Sequence, residues 1–156
     1  MNIASSIVEV HIFRIIKGEL EFLLLKRSED DQTYPGLWQM VTGSIHENEK
    51  AYKAAFRELT EETGLSPQKF WIVPNVNSFY SSSKDEIHLV PVFAALVDAD
   101  SVVKLSSEHS HYIWVKSEEA QLKLAWDGQK RSVEIISNYY LNQKNNFDLL
   151  EVRNEE

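Results

Sequence analysis

From residue 6 to residue 16 the apolar positions Ile7, Val8, Val10, Ile12, Phe13 and Ile15 form a β-branched run broken by few polar residues, which predicts a strand. Lys17-Gly18 has turn chemistry, and Phe22-Leu23-Leu24-Leu25 predicts the returning strand of a hairpin that ends at Lys26-Arg27. Residues 28–36 hold Glu29-Asp30-Asp31 and Tyr34-Pro35-Gly36 and have little to bury, so they predict a loop. Residues 38–42 predict a short strand that stops at Gly43. The period then changes. Tyr52, Ala55, Phe56 and Leu59 recur at three- and four-residue spacing, which predicts a helix over residues 50–63 with one apolar stripe, closed by Gly64. Residues 70–76 and 87–97 predict two strands around the loop 81–85, and residues 111–115 predict another. A short helix is predicted to open at Ser117 and a closing helix to span residues 128–141, with Val133, Ile136 and Tyr140 on its apolar side. Residues 148–156, with four acids against one base, predict a frayed acidic tail after a single domain over 1–147. Strands with interspersed helices imply a mixed α/β (α+β) sandwich; its topology does not follow from the pattern.

With 156 residues, 43% of them hydrophobic and 26% charged, the chain is long enough for one domain with a real core. It contains no cysteine, which excludes disulfides, thiolate metal sites and cysteine nucleophiles. The N-terminal residues lack a basic segment followed by an apolar run, and no apolar stretch approaches the ~20 residues of a membrane span. A cytoplasmic location with no membrane partner is the resulting expectation. The net charge of −8 argues against a nucleic-acid partner, which usually selects a basic excess. It leaves room for a small anionic substrate that arrives with divalent cations.

Within the predicted helix, Glu58, Glu61 and Glu62 stand at i, i+3 and i+4, so their carboxylates project from one side. Like charges on adjacent turns repel, and a hard divalent cation such as Mg²⁺ or Mn²⁺, which takes oxygen ligands, offsets that repulsion. A solvated acidic face would account for Glu-x-x-Glu-Glu alone. The flanking residues change this. Gly43 is followed after five residues by Glu49, then after seven by Arg57-Glu58-Leu59, and then by Glu61-Glu62, Gly64 and Leu65. Glycine at 43 lets backbone approach a metal or phosphate, with its carbonyl as a possible ligand, and Arg57 can clamp Glu49 or Glu58 through its planar fork.

This array resembles the Nudix box, Gly-x5-Glu-x7-Arg-Glu-U-x-Glu-Glu-x-Gly-U with U a bulky aliphatic, at every defined position. Seven fixed identities at ~7% usage each coincide by chance in on the order of one window in 10⁸. The resemblance implies a Nudix-type α/β/α sandwich with a mixed β-sheet. It also implies divalent-metal-dependent hydrolysis of a phosphoric anhydride in a nucleoside diphosphate linked to another moiety. It makes Glu58 and Glu62 metal ligands, Glu61 a third ligand or the base, Arg57 part of the catalytic set, and Glu49 and Gly64 structural supports.

Beyond the box, Leu24-Leu25-Lys26-Arg27, residues 37–45 and Ser107-Glu108-His109 with Tyr112-x-Trp114 look like the bacterial nucleoside triphosphate and dihydroneopterin triphosphate pyrophosphohydrolases of that family. On that likeness Glu108 joins the metal site and the substrate is a nucleotide or pterin polyphosphate. An asymmetric dinucleoside tetraphosphate hydrolase is the alternative, since Tyr80 lies near where that group carries a tyrosine, although its Pro-Lys-Gly approach to the box is Val41-Thr42-Gly43 here. An inactive Nudix-fold binding module is a further alternative, set against the complete box. An ADP-ribose pyrophosphatase fits less well, because position 81 is serine where a proline is expected. Lys26 and Arg27 are candidate phosphate contacts, and Tyr34 and Trp38 candidate stacking partners for a base. His46 and His111 read as surface residues, and Trp126 as a cap on the core. Homodimers are common in the family, so a dimer is possible.

Overall fold

The computed structural model describes residues 1–153. In chain order the elements are β1 (Asn2–Ala4), β2 (Ile7–Ile16), β3 (Glu19–Arg27), β4 (Trp38–Gln39), β5 (Val41–Ser44), α1 (Ala51–Thr63), β6 (Lys69–Ser81), β7 (Glu86–Leu96), β8 (His109–Lys116), α2 (Ser117–Lys123), α3 (Asp127–Asn142) and α4 (Lys144–Asp148). All eight strands join one mixed sheet: β7 runs parallel to both β1 and β2, and every other pairing is antiparallel.

Strand alternation divides the core into two layers. Val8, Val10 and Ile12 of β2 pack with Ala54, Ala55 and Leu59 of α1. Phe13 and Phe22 face the other way, against Ala120, Val133, Ile136 and Phe147 from α2, α3 and α4. Helices therefore cover both faces, giving the expected α/β/α sandwich around a mixed sheet. Among the described residues no helix is long and apolar enough to cross a membrane.

Four features differ from the sequence pattern. The single strand expected over 38–42 is two, broken at buried Met40; β4 pairs with β3, while β5 pairs with β2 and continues through Gly43 to Ser44. Strand β6 runs on to Ser81, past an irregularity between Ile72 and Val76 that contains Pro74. Elements β1 and α4, at three and five residues, are too short to show a period. The chain after Asp148 is not frayed as far as Val152: Glu151 bridges to Trp71, and the Val152 N–H donates to the Phe70 carbonyl at 2.7 Å. Apolar burial of Phe147 and Val152 outweighs the acidic composition there. Residues 154–156, the end of the expected acidic tail, lie outside the described residues.

Candidate active site

Helix α1 is closed at its C-terminal end by the glycine that follows it. Gly64 ends it in the left-handed region, φ 69°, where glycine has no steric penalty, and its N–H donates to the Thr60 carbonyl at 2.9 Å. The buried stripe Ala54, Ala55 and Leu59 packs α1 onto β2 and presents Glu58 toward β5. The approach is closest at Gly43, where a Cβ would lie 2.6 Å from Glu58 Oε1. Any side chain at 43 would occupy the space of the Glu58 carboxyl.

Arg57 organises the exposed side of this array. Its Nε and Nη2 donate to the two Glu49 oxygens, both at 2.9 Å, in a bidentate pair. Nη1 donates to Glu58 Oε1 at 2.8 Å and to Glu61 Oε2 at 3.3 Å, and Nη2 also reaches the Ser44 carbonyl at 2.8 Å. One guanidinium thus ties three carboxylates to the end of β5. The hydrogen bonds from Arg57, and then the His46 backbone N–H, hold the Glu49 carboxyl down to about 2.

Glu62 is the buried member. It is 3% exposed, and neither of its carboxylate oxygens has a hydrogen-bond partner. Burial, the neighbouring Glu108 carboxyl, and then Glu58 and Glu61 push its pKa up to about 9. Tertiary contacts bring Glu108 there: the Ser106 N–H donates to the Glu62 carbonyl at 3.3 Å, and that of Lys104 to the Thr63 carbonyl at 2.8 Å. Ligand atoms of Glu62, Glu108 and His109 all lie within 4.8 Å of one another. Buried oxygens with no partner beside a second carboxylate suit a hard divalent cation. His109 also lies here, and its place after Glu108 is its one signal in the sequence. Its Nε2 meets the Gln39 side-chain nitrogen at 2.9 Å, and with that amide donating, the proton sits on Nδ1, 4.0 Å from Glu62 Oε1. Burial lowers the His109 pKa, so the ring is a neutral neighbour of the carboxylates.

The NUDIX domain model matches residues 6–136, a span that contains all of these groups except the C-terminal segment. The chain belongs to the Nudix family. It is a Nudix hydrolase, acting on a phosphoric anhydride bond. It is 28% identical over 112 residues to the nucleoside triphosphatase NudI of Escherichia coli O139:H28, an alignment covering 67% of this chain and 79% of NudI. Two solved structures share the fold at 22% identity each. They are an Ap4A hydrolase from C. elegans, with TM-score 0.72 over 88% of this chain and 98% of that one, and the E. coli dihydroneopterin triphosphate pyrophosphohydrolase, with TM-score 0.68 over 84% and 93%.

The remaining candidates of this Nudix chain occupy several environments. Lys26, at the end of β3, lies 3.6 Å from Glu29 and is paired in register with Trp38 and His111. Arg27 pairs with Asp31 and lies opposite His109 in the β3–β8 register, and its Nε has no partner. Tyr34 is exposed and meets Trp126 edge to face at 5.7 Å; Trp126 is itself half exposed, so it closes onto the loop rather than capping the core as expected. Trp38 is half-buried, with the Lys123 ammonium 5.7 Å from its ring. Tyr80 is not brought to the carboxylates. Its hydroxyl donates to Asp85 at 2.8 Å within the β6–β7 hairpin, and β7 and β2 stand between β6 and β5. His46 and His111 are exposed, as expected.

Proposed function

We propose that this Nudix hydrolase is an Mg²⁺- or Mn²⁺-dependent pyrophosphohydrolase that cleaves a nucleoside triphosphate or dihydroneopterin triphosphate to the monophosphate and pyrophosphate. The observation that carries this reading is the pair of partnerless, buried Glu62 oxygens beside Glu108, at the end of a helix whose Glu58 touches Gly43. The likeness to a nucleoside triphosphatase at 28% identity supports a triphosphate substrate.

In this reading Glu58, Glu62 and Glu108, with the Gly43 carbonyl, hold the cation. When bound, a divalent cation neutralises phosphate charge and lowers the pKa of the attacking water. The chain's own groups do the rest. Arg57 fixes the geometry of Glu58 and Glu61 before substrate binds. Glu61 is 59% exposed, so it is open to a water whose proton it can accept as the attack on phosphorus proceeds. Lys26 and Arg27 offer a point charge and a fork to the polyphosphate, and Tyr34 and Trp38 offer ring faces to the base. A small-molecule nucleotide or pterin polyphosphate in the cytoplasm is the partner this reading requires; a homodimer is its assembly expectation.

Purified protein with Mg²⁺ should release pyrophosphate and monophosphate from dNTPs or dihydroneopterin triphosphate. Release of ATP from diadenosine tetraphosphate without triphosphate turnover would overturn the reading in favour of a dinucleoside tetraphosphate hydrolase.

A further inference from the structure

A cavity of about 460 Å³ lies on the side of α1 away from Glu62, between that helix, the turn into β6 and the C-terminal segment. We propose that it is a second, non-catalytic site for a small aromatic anion of the nucleoside monophosphate class.

Its volume is within the range of small-molecule sites. Its apolar wall is aromatic. Phe56 is 43% exposed on the outer side of α1 and meets Phe70 edge to face at 6.1 Å, with Tyr52 one turn back. The opposite wall is fixed backbone, because the Val152 N–H donates to the Phe70 carbonyl at 2.7 Å and Glu151 bridges to Trp71. Among the described residues the rim is basic in a chain of net charge −8: Lys53, Arg57, Lys69 and Arg153 face a single carboxylate, Glu151. Arg57 is committed to Glu49, Glu58 and Glu61. Glu151 is shared between Arg153 at 2.9 Å and Lys69 at 3.9 Å, and among the described residues Lys53 has no carboxylate partner. Among the described residues these three cations outnumber the one carboxylate, an excess that suits the charge of about −1.5 to −2 that a phosphate monoester carries at neutral pH. An aromatic wall beside a basic rim fits a ring attached to such a phosphate, and neither half is satisfied by an apolar ligand or by an ion alone.

The test is calorimetric titration of AMP into the full chain in EDTA, where binding does not depend on the cation site or on any hydrolytic activity. Saturable binding to a single site is expected, with adenosine and inorganic phosphate each binding more weakly. Phe56→Ser, and separately the pair Lys53→Glu and Lys69→Glu, should each weaken AMP by about tenfold or more. The charge-reversed pair changes only solvent-facing cations and remains informative if Phe56→Ser misfolds. No saturable AMP binding, or an affinity unchanged in the charge-reversed pair, overturns the proposal. Because metal-dependent turnover is measured separately, failure here leaves the pyrophosphohydrolase reading intact, and the reverse also holds.

Discussion

The backbone of Gly43 and the side chain of Glu58 occupy adjoining space, such that a Cβ at residue 43 would lie 2.6 Å from Glu58 Oε1. The contact joins β5 to α1 at the point where the box begins. Gly43→Ala should therefore displace the Glu58 carboxyl, and a misplacement of this kind costs about a hundredfold in kcat. Circular dichroism should show the fold retained, since Gly43 is at a strand end. Wild-type turnover in this variant would mean that the Glu58 position is not used.

Arg57 bridges three carboxylates, and only a planar fork can serve them together. Arg57→Lys keeps the charge and loses the bidentate Glu49 pair, so kcat should fall by about tenfold or more with a smaller change in KM. A loss confined to KM would instead point to a substrate contact.

Glu62 should make metal binding depend on pH. Its carboxyl is raised from 4.5 to about 9, so the metal-free native chain keeps a proton that the unfolded chain releases above pH 4.5. The metal-free protein should lose stability as pH rises from 4.5 toward 9. Mg²⁺ affinity should rise over the same interval, by about tenfold per pH unit where one proton is displaced. Calorimetry in buffers of different ionisation enthalpy would count that proton, and its absence would rule out Glu62 as the ligand.

His11 provides an independent acid-sensitive point. It is 1% exposed, and burial drives its pKa from 6.5 down to about 3. The unfolded chain takes up a proton there that the native chain refuses. Its contribution is thus absent above pH 6.5, and the native state loses stability progressively between pH 6.5 and 3. His11→Leu should flatten that part of the stability curve, measured by urea unfolding at several pH values.

The C-terminal segment should be part of the cooperative fold. Phe147 is fully buried and stacks on Trp71 at 4.6 Å. Phe147→Ala should cost about 3–5 kcal/mol in urea unfolding, as removal of a buried aromatic does. A cost near zero would mean that α4 docks without consequence.

The box, its helix and the glycine that ends it were all readable along the chain, because α1 carries its own period and its chemistry is local in sequence. So were β2 and β7, through their β-branched residues, and β3, through its continuous apolar run Phe22 to Leu25. The spacing put Glu58, Glu61 and Glu62 on one side of the helix, yet Glu62 is buried while Glu61 is 59% exposed. That difference comes from packing of α1 onto the sheet. Glu108 joins Glu62 only because backbone bonds from Lys104 and Ser106 tie a distant loop to the end of the helix. Tyr80 shows the opposite case, a residue at a suggestive spacing that the sheet order carries away from β5. By itself the sequence determined the family, the helix that bears the carboxylates and the residues that clamp them, since each rests on contacts within a few turns of chain. Tertiary structure alone decided which carboxylate lost its solvent, which loop closed on it and where Phe147 to Val152 docked, because burial depends on what packs across the sheet.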